Sequence, residues 1–147
     1  MDEGDLADTL DIILMKLKGR SFNWRLDGSA NLKLQGVNIA VNDLDIETDS
    51  IGIKIFREVF LKYIIRDYYE AKFSAQMIVM NLNGFEVEVF SHDNPDQALF
   101  EKVRLLDFGE FKLPILPLKY AKVIYEKRGN IVKVEIIASH LIQFPTA

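Results

Sequence analysis

The stretch Asn23–Asp49, NWRLDGSANLKLQGVNIAVNDLDIETD, decides how the rest of the chain is read. It reads as a short strand over Phe22 to Leu26, a tight turn at Asp27-Gly28-Ser29, a short helix over Leu32 to Gln35, and a second strand carrying Asp43-Leu44-Asp45. Strand side chains alternate between faces, so Asp43 and Asp45 project to one side and Leu44 and Ile46 to the other. Two neighbouring carboxylates repel, which costs free energy unless a cation sits between them. The turn is complementary. Backbone N–H groups at a helix N-terminus, beside a glycine that admits a ligand closely, make an anion site suited to phosphate. A phosphate cradle followed by a divalent-cation site is equipment for phosphoryl or nucleotidyl transfer. Glu47 shares the Asp43 and Asp45 face by alternation and is expected to be a solvated strand-end residue.

Working outward, the whole chain of 147 residues has the length of one domain, 1–147. Apolar residues make up 49% and charged ones 27%, the balance of a water-soluble globular protein. A net charge of −4 and a pI near 5.2 argue against a surface that grips nucleic-acid phosphates, which needs a basic stripe. With no cysteine, disulfides, thiolate metal sites and cysteine nucleophiles are excluded together. The acidic start, MDEGDLADTL, lacks the basic and apolar regions of a signal peptide. No apolar run approaches ~18 residues, so no membrane span is expected and the cytoplasm is the default compartment.

Leu6, Leu10, Ile13, Leu14 and Leu17 recur at helical spacing, which predicts an N-terminal helix stopped near Gly19. A second helix follows Asp49-Ser50, carries Phe56, Val59, Phe60, Tyr63 and Ile64, and ends near Arg66 to Tyr69. Ala71 to Leu82 alternates as a strand, Asn83-Gly84 is a hairpin turn, and the partner strand is Phe85 to Phe90. There Phe85, Val87 and Val89 point into the core, with Glu86 and Glu88 opposite. Ser91 to Asp96 has turn chemistry, which leaves His92 in a loop. A short strand over Val103 to Leu106, a turn at Asp107 to Glu110 and a loop between Pro114 and Pro117 lead to a helix, Leu118 to Lys127. The last segment, Asn130 to Ile142, is β-branched but fits a helical stripe through Ile131, Val134, Ile137, Ala138 and Leu141, and is read as helix. Neither His92 nor His140 has a partner at metal-ligand spacing. Lys33 and Lys54 are near enough in sequence to meet a triphosphate but are read as surface lysines, and Trp24 belongs to the core.

Gly28-Ser29 followed by Asp43-Leu44-Asp45 resembles the signature of the nucleotidyltransferase superfamily of DNA polymerase β type, and within it the small prokaryotic minimal nucleotidyltransferases. LNGFEVEVF, Leu82 to Phe90, is similar to the hairpin that brings that family's third carboxylate, and Val87-Glu88-Val89 matches its pattern better than Phe85-Glu86-Val87. Leu113 to Ile137 resembles its C-terminal helical tail. GSANLKLQG resembles the Gly-Ser-x-Ala-Leu form of small-molecule nucleotidyltransferases.

The resemblance implies an α+β fold: a small mixed β-sheet flanked by helices, with a C-terminal helical tail over about 118–142. It implies Asp43, Asp45 and Glu88 as catalytic residues and as ligands of Mg²⁺ or Mn²⁺, and Gly28 and Ser29 as holders of the phosphates. The activity it implies is transfer of a nucleoside monophosphate from an NTP to a hydroxyl of a small molecule or protein. The alternative is a weakly active or inactive interaction protein of the same fold, such as an antitoxin-like partner of a small toxin, or a homodimer.

Overall fold

The computed structural model describes residues 1–145. Helix α1 (Glu3–Leu17) starts at Asp2, whose side chain takes the Asp5 N–H while the Asp5 carboxylate takes the Asp2 N–H. This reciprocal cap satisfies two otherwise orphaned donors. Its buried stripe is the one read from the sequence: Leu6, Leu10, Ile13, Leu14 and Leu17.

Strand β1 (Trp24–Asp27) runs straight into helix α2 (Gly28–Lys33), which begins four residues earlier than the expected Leu32. Strand β2 (Leu44–Thr48) starts one residue after Asp43, leaving that carboxylate at the strand's mouth. Helix α3 (Ser50–Val59) is capped by Asp49, which accepts the Gly52 N–H at 2.7 Å.

The expected run of α3 toward Tyr69 does not occur. Phe60 ends the helix, one 3₁₀ turn follows, and Ile64–Glu70 forms strand β3, paired antiparallel with strand β4 (Ala75–Leu82). Isoleucine and tyrosine suit an extended ribbon, and the available partner outweighs the helical spacing of Tyr63 and Ile64. Ala71 to Ser74 is the turn between the two strands rather than the start of β4. Strand β5 (Phe85–His92) is two residues longer than its sequence reading.

These strands form a five-stranded sheet in the order β1-β2-β5-β4-β3, antiparallel except for the central β2–β5 pair. One face carries Leu26, Leu44, Ile46, Ile78, Met80, Leu82, Val87 and Val89, all closed from solvent against α1 and α3. Trp24 lies at the margin of this core, edge-on to Phe56.

Two strands, β6 (Arg104–Phe108) and β7 (Phe111–Ile115), form a separate ribbon. Pro114 is within β7 rather than in a loop. A two-stranded ribbon has only edge strands, where proline is tolerated. Helices α4 (Leu118–Lys127) and α5 (Ile131–Gln143) make the C-terminal tail, and α5 settles the ambiguous IVKVEII as helix, with Asn130 capping the Lys133 N–H. The architecture is therefore the expected α+β one: a small mixed sheet, flanking helices and a helical tail. Among the described residues, no helix is long and apolar enough to cross a membrane.

The tail is tied to α2 by a buried amide. Asn31 donates from Nδ2 to the Leu116 carbonyl at 3.0 Å and accepts the Leu116 N–H at 2.9 Å, and Gln35 donates to the same carbonyl. Asn31→Ala leaves the buried Leu116 N–H without this partner and is expected to lower stability by about 1–3 kcal/mol in urea unfolding. A loss below ~0.5 kcal/mol would show that the clamp contributes little.

Candidate active site

The second sheet face is built differently from the first. Alternation along β1, β2 and β5 places Arg25 and Asp27, Asp45 and Glu47, and Glu88, Phe90 and His92 away from the α1–α3 core. Strand register then sets them side by side: Asp27 opposite Asp45, Asp45 opposite Glu88, Arg25 opposite Glu47. A cavity of about 300 Å³ opens over this row. Asp27, Gly28, Asp45 and Glu88 form its acidic part, Phe73, Ala75, Met77 and Phe90 its apolar part, and Tyr125, Arg128, Asn130 and Lys133 of the tail a third wall.

The charges in the row fall into three sets. Asp27 is buried, yet Arg25 at 3.2 Å and Arg128 at 3.3 Å outweigh the burial and hold its carboxyl below the ordinary range. Arg25, wholly closed from solvent, also donates to the carbonyls of Ala98 and Leu26. Glu47 is not the solvated strand-end residue expected. It is fully buried, its Oε1 lies 2.8 Å from Nδ1 of His92, and burial pushes its carboxyl up while His92 and Arg25 pull it down. His92 is correspondingly not in a loop but ends β5.

Among the described residues, no cation is paired with Asp45. Burial first, then the charges of Asp27, Asp43 and Glu88 and a hydrogen bond with Glu88, push its carboxyl up to about 7. Gly28 has φ of +62°, the left-handed region, and a Cβ there would collide with Oδ2 of Asp45. Glycine at 28 thus serves the turn and makes room for the aspartate at once.

Of the five residues singled out by the sequence, Gly28, Asp45 and Glu88 line this same cavity. Asp43 is exposed at the mouth of β2, within electrostatic reach of Asp45, and Ser29 is half-buried in the first turn of α2. Glu86 is exposed opposite Asn81, away from Asp45. Neither Lys33 nor Lys54 lines this cavity. His140 is half-buried, its ring 4.8 Å from that of Phe144.

The sequence reading set Glu47 and His92 aside as a solvated acid and a loop residue, and passed over Tyr125 and Arg128. The alternation of VEVFSH past Phe90 was the available signal for His92, whereas the tail residues reach the sheet only through tertiary packing.

The donor set suits a hard divalent cation, because Asp45 bears an unrelieved excess of negative charge among carboxylate oxygens. Among the described residues, however, no three acidic or histidine side chains are drawn up around one point.

Two solved structures share this five-stranded mixed sheet and its flanking helices. A candidate nucleotidyltransferase from Thermotoga maritima, TM1012, superposes with a TM-score of 0.78 at 24% identity over 97% of this chain and 96% of that one. The lincosamide antibiotic adenylyltransferase LnuA, solved with lincomycin bound, superposes at 0.61 and 13% identity over 95% and 98%. The protein therefore has the nucleotidyltransferase fold. No family model matches the sequence, and no curated protein matches it significantly.

The raised Asp45 pKa has a signed consequence. Between the ordinary value of 3.8 and about 7, the folded chain keeps a proton that the unfolded chain has released. This contribution to stability is therefore lost as pH rises through that window. Asp45→Asn is expected to flatten the decline and, without divalent cation near pH 8, to melt at least about 3 °C above wild type. Parallel melting profiles for the two proteins would contradict this reading of Asp45.

Proposed function

We propose that the chain is an enzyme that moves a nucleoside monophosphate from an NTP to a hydroxyl of a small molecule or protein. The observation that carries this is the placement of Asp45 opposite Glu88, next to Gly28, on the floor of a cavity with an apolar side. Likeness to a solved adenylyltransferase supports the same chemistry.

In the reaction, the acceptor oxygen bonds to the α-phosphorus, the bond to the bridging oxygen breaks, and pyrophosphate departs with that oxygen. The hydroxyl proton passes to solvent. Asp45 and Glu88, with Asp43 at the mouth of β2, would hold Mg²⁺ or Mn²⁺. Such an ion, when bound, neutralises phosphate charge and makes a hydroxyl more acidic. Amides of the Gly28-Ser29 turn and the Ser29 hydroxyl orient the phosphates. Phe73, Met77 and Phe90 exclude water and give a flat apolar group somewhere to rest.

Purified protein, Mg²⁺ and cell extract, given ATP labelled at either the α- or the γ-phosphate, test the proposal. Only the α-label is expected on an acceptor, and transfer should fall by about 100-fold or more in Asp45→Asn and Glu88→Gln, the scale of losing a main electrostatic contributor. Exposed Glu86→Gln should keep wild-type transfer. Transfer of the γ-label would instead indicate a kinase, and nucleotide binding with no transfer from any NTP would favour the interaction-protein alternative.

A further inference from the structure

The two edges of the five-stranded sheet are finished differently. β1 packs against β7 and, through Arg25, reaches the Ala98 carbonyl, so its outer side is covered. β3 lies at the other end of the strand order and, among the described residues, pairs only with β4. Alternate N–H and C=O groups of β3 therefore point outward from the sheet. Leu61, Ile65, Tyr69 and Phe73, spread along this strand and just beyond its two ends, are between 47% and 68% exposed.

A bare edge is commonly guarded by bulges or by repelling charges. The bulge in β3 lies at its start, between Ile64 and Arg66, and leaves residues 66–70 in regular register with β4. The charges of that run are of both signs. Asp67 is already held by Arg57 of α3, 2.5 Å away. Arg66 and Glu70 alternate onto the opposite face together with Tyr68. There Tyr68 packs on Ala75, Met77 and Phe90, and the Arg66 guanidinium rests 5.3 Å from the centre of its ring.

We propose that β3 is a docking surface for a second copy of this chain, the two strands pairing antiparallel over residues 66–70 about a two-fold axis normal to the sheet and centred on Tyr68. Charge selects this register. Centred on Tyr68, the axis sets Arg66 opposite Glu70 twice, with the two Tyr68 rings between. Centred on Arg66 or Asp67 it sets like charges face to face, and centred on Tyr69 it sets Arg66 against Lys72. Antiparallel pairing also carries the start of one β3 to the end of the other. Leu61 of each copy then approaches Phe73 of its partner, and both leave water. Phe73 lines the cavity, so the second copy backs one wall of each candidate site. The contact is self-complementary and closes at two, which caps the edge instead of propagating it. The pairing is independent of what the cavity binds.

Sedimentation of the whole chain over a concentration series tests this, with a species of twice 16.9 kDa expected at the upper end. Arg66→Glu and Glu70→Arg each set like charges opposite in both symmetry-related pairs and should weaken dimerisation by at least about tenfold. The double variant exchanges the two charges and should recover the wild-type dimer. Hydrogen exchange on wild type supplies a readout that needs no variant: outward amides of residues 66–70 should be protected at dimeric concentration and exchange on dilution. A wild-type chain that stays monomeric throughout overturns the proposal. A dimer indifferent to both single reversals, or one whose β3 amides exchange equally at all concentrations, places the interface elsewhere and overturns it too. Weakening by both single changes without recovery in the double variant overturns the register centred on Tyr68.

Discussion

Two strands running parallel in one register, β2 and β5, set the terms for this molecule. The pairing stacks Ile46 on Val89 and Leu44 on Val87 on the side packed by α1 and α3. Because side chains alternate, the same register must bring Asp45 opposite Glu88 on the other side. A slip of one residue would bury the acids in the core and expose the valines. The apolar face therefore holds two carboxylates together that would separate if left to themselves.

The remaining charges on that face arrange themselves around this constraint. Asp27 is neutralised by Arg25 and Arg128, and Glu47 is tied to His92. Asp45 is surrounded by negative neighbours with no cation in contact among the described residues, and it lines the cavity. An acid left crowded and facing open space is where the proposed ligand is placed. The left-handed Gly28 allows the crowding by letting the Asp45 carboxylate lie against bare backbone.

The parts legible in the sequence were those governed by local rules. Alternation in LDIET and FEVEVF assigned faces to Asp45 and Glu88, and the Asn83-Gly84 turn fixed their hairpin. Periodicity outweighed β-branching in α5, and the stripe of α1 was complete. What failed depended on distant partners. β3 forms because β4 offers an edge, and Glu47 is buried because His92, 45 residues further on, reaches it from an extension of β5. The third wall of the cavity was invisible for the same reason. Tyr125 sits in the predicted tail helix and Arg128 just beyond it, and the clamp of Asn31 on Leu116, the packing of Leu32 and Val37 against α4 and the Arg128–Asp27 pair help bring that helix over the sheet.

The central claim is that Asp45 and Glu88 are a carboxylate pair completed by a divalent cation. Its most direct measurement is the proton count on metal binding. Mn²⁺ is titrated calorimetrically near pH 6, in the absence of nucleotide, in buffers of different ionisation enthalpy. Since Asp45 keeps a proton up to about 7 in the metal-free chain, binding should release close to one proton per site, and that release should vanish in Asp45→Asn. Binding of Mn²⁺ with no proton release, or with the same release in Asp45→Asn, would contradict it.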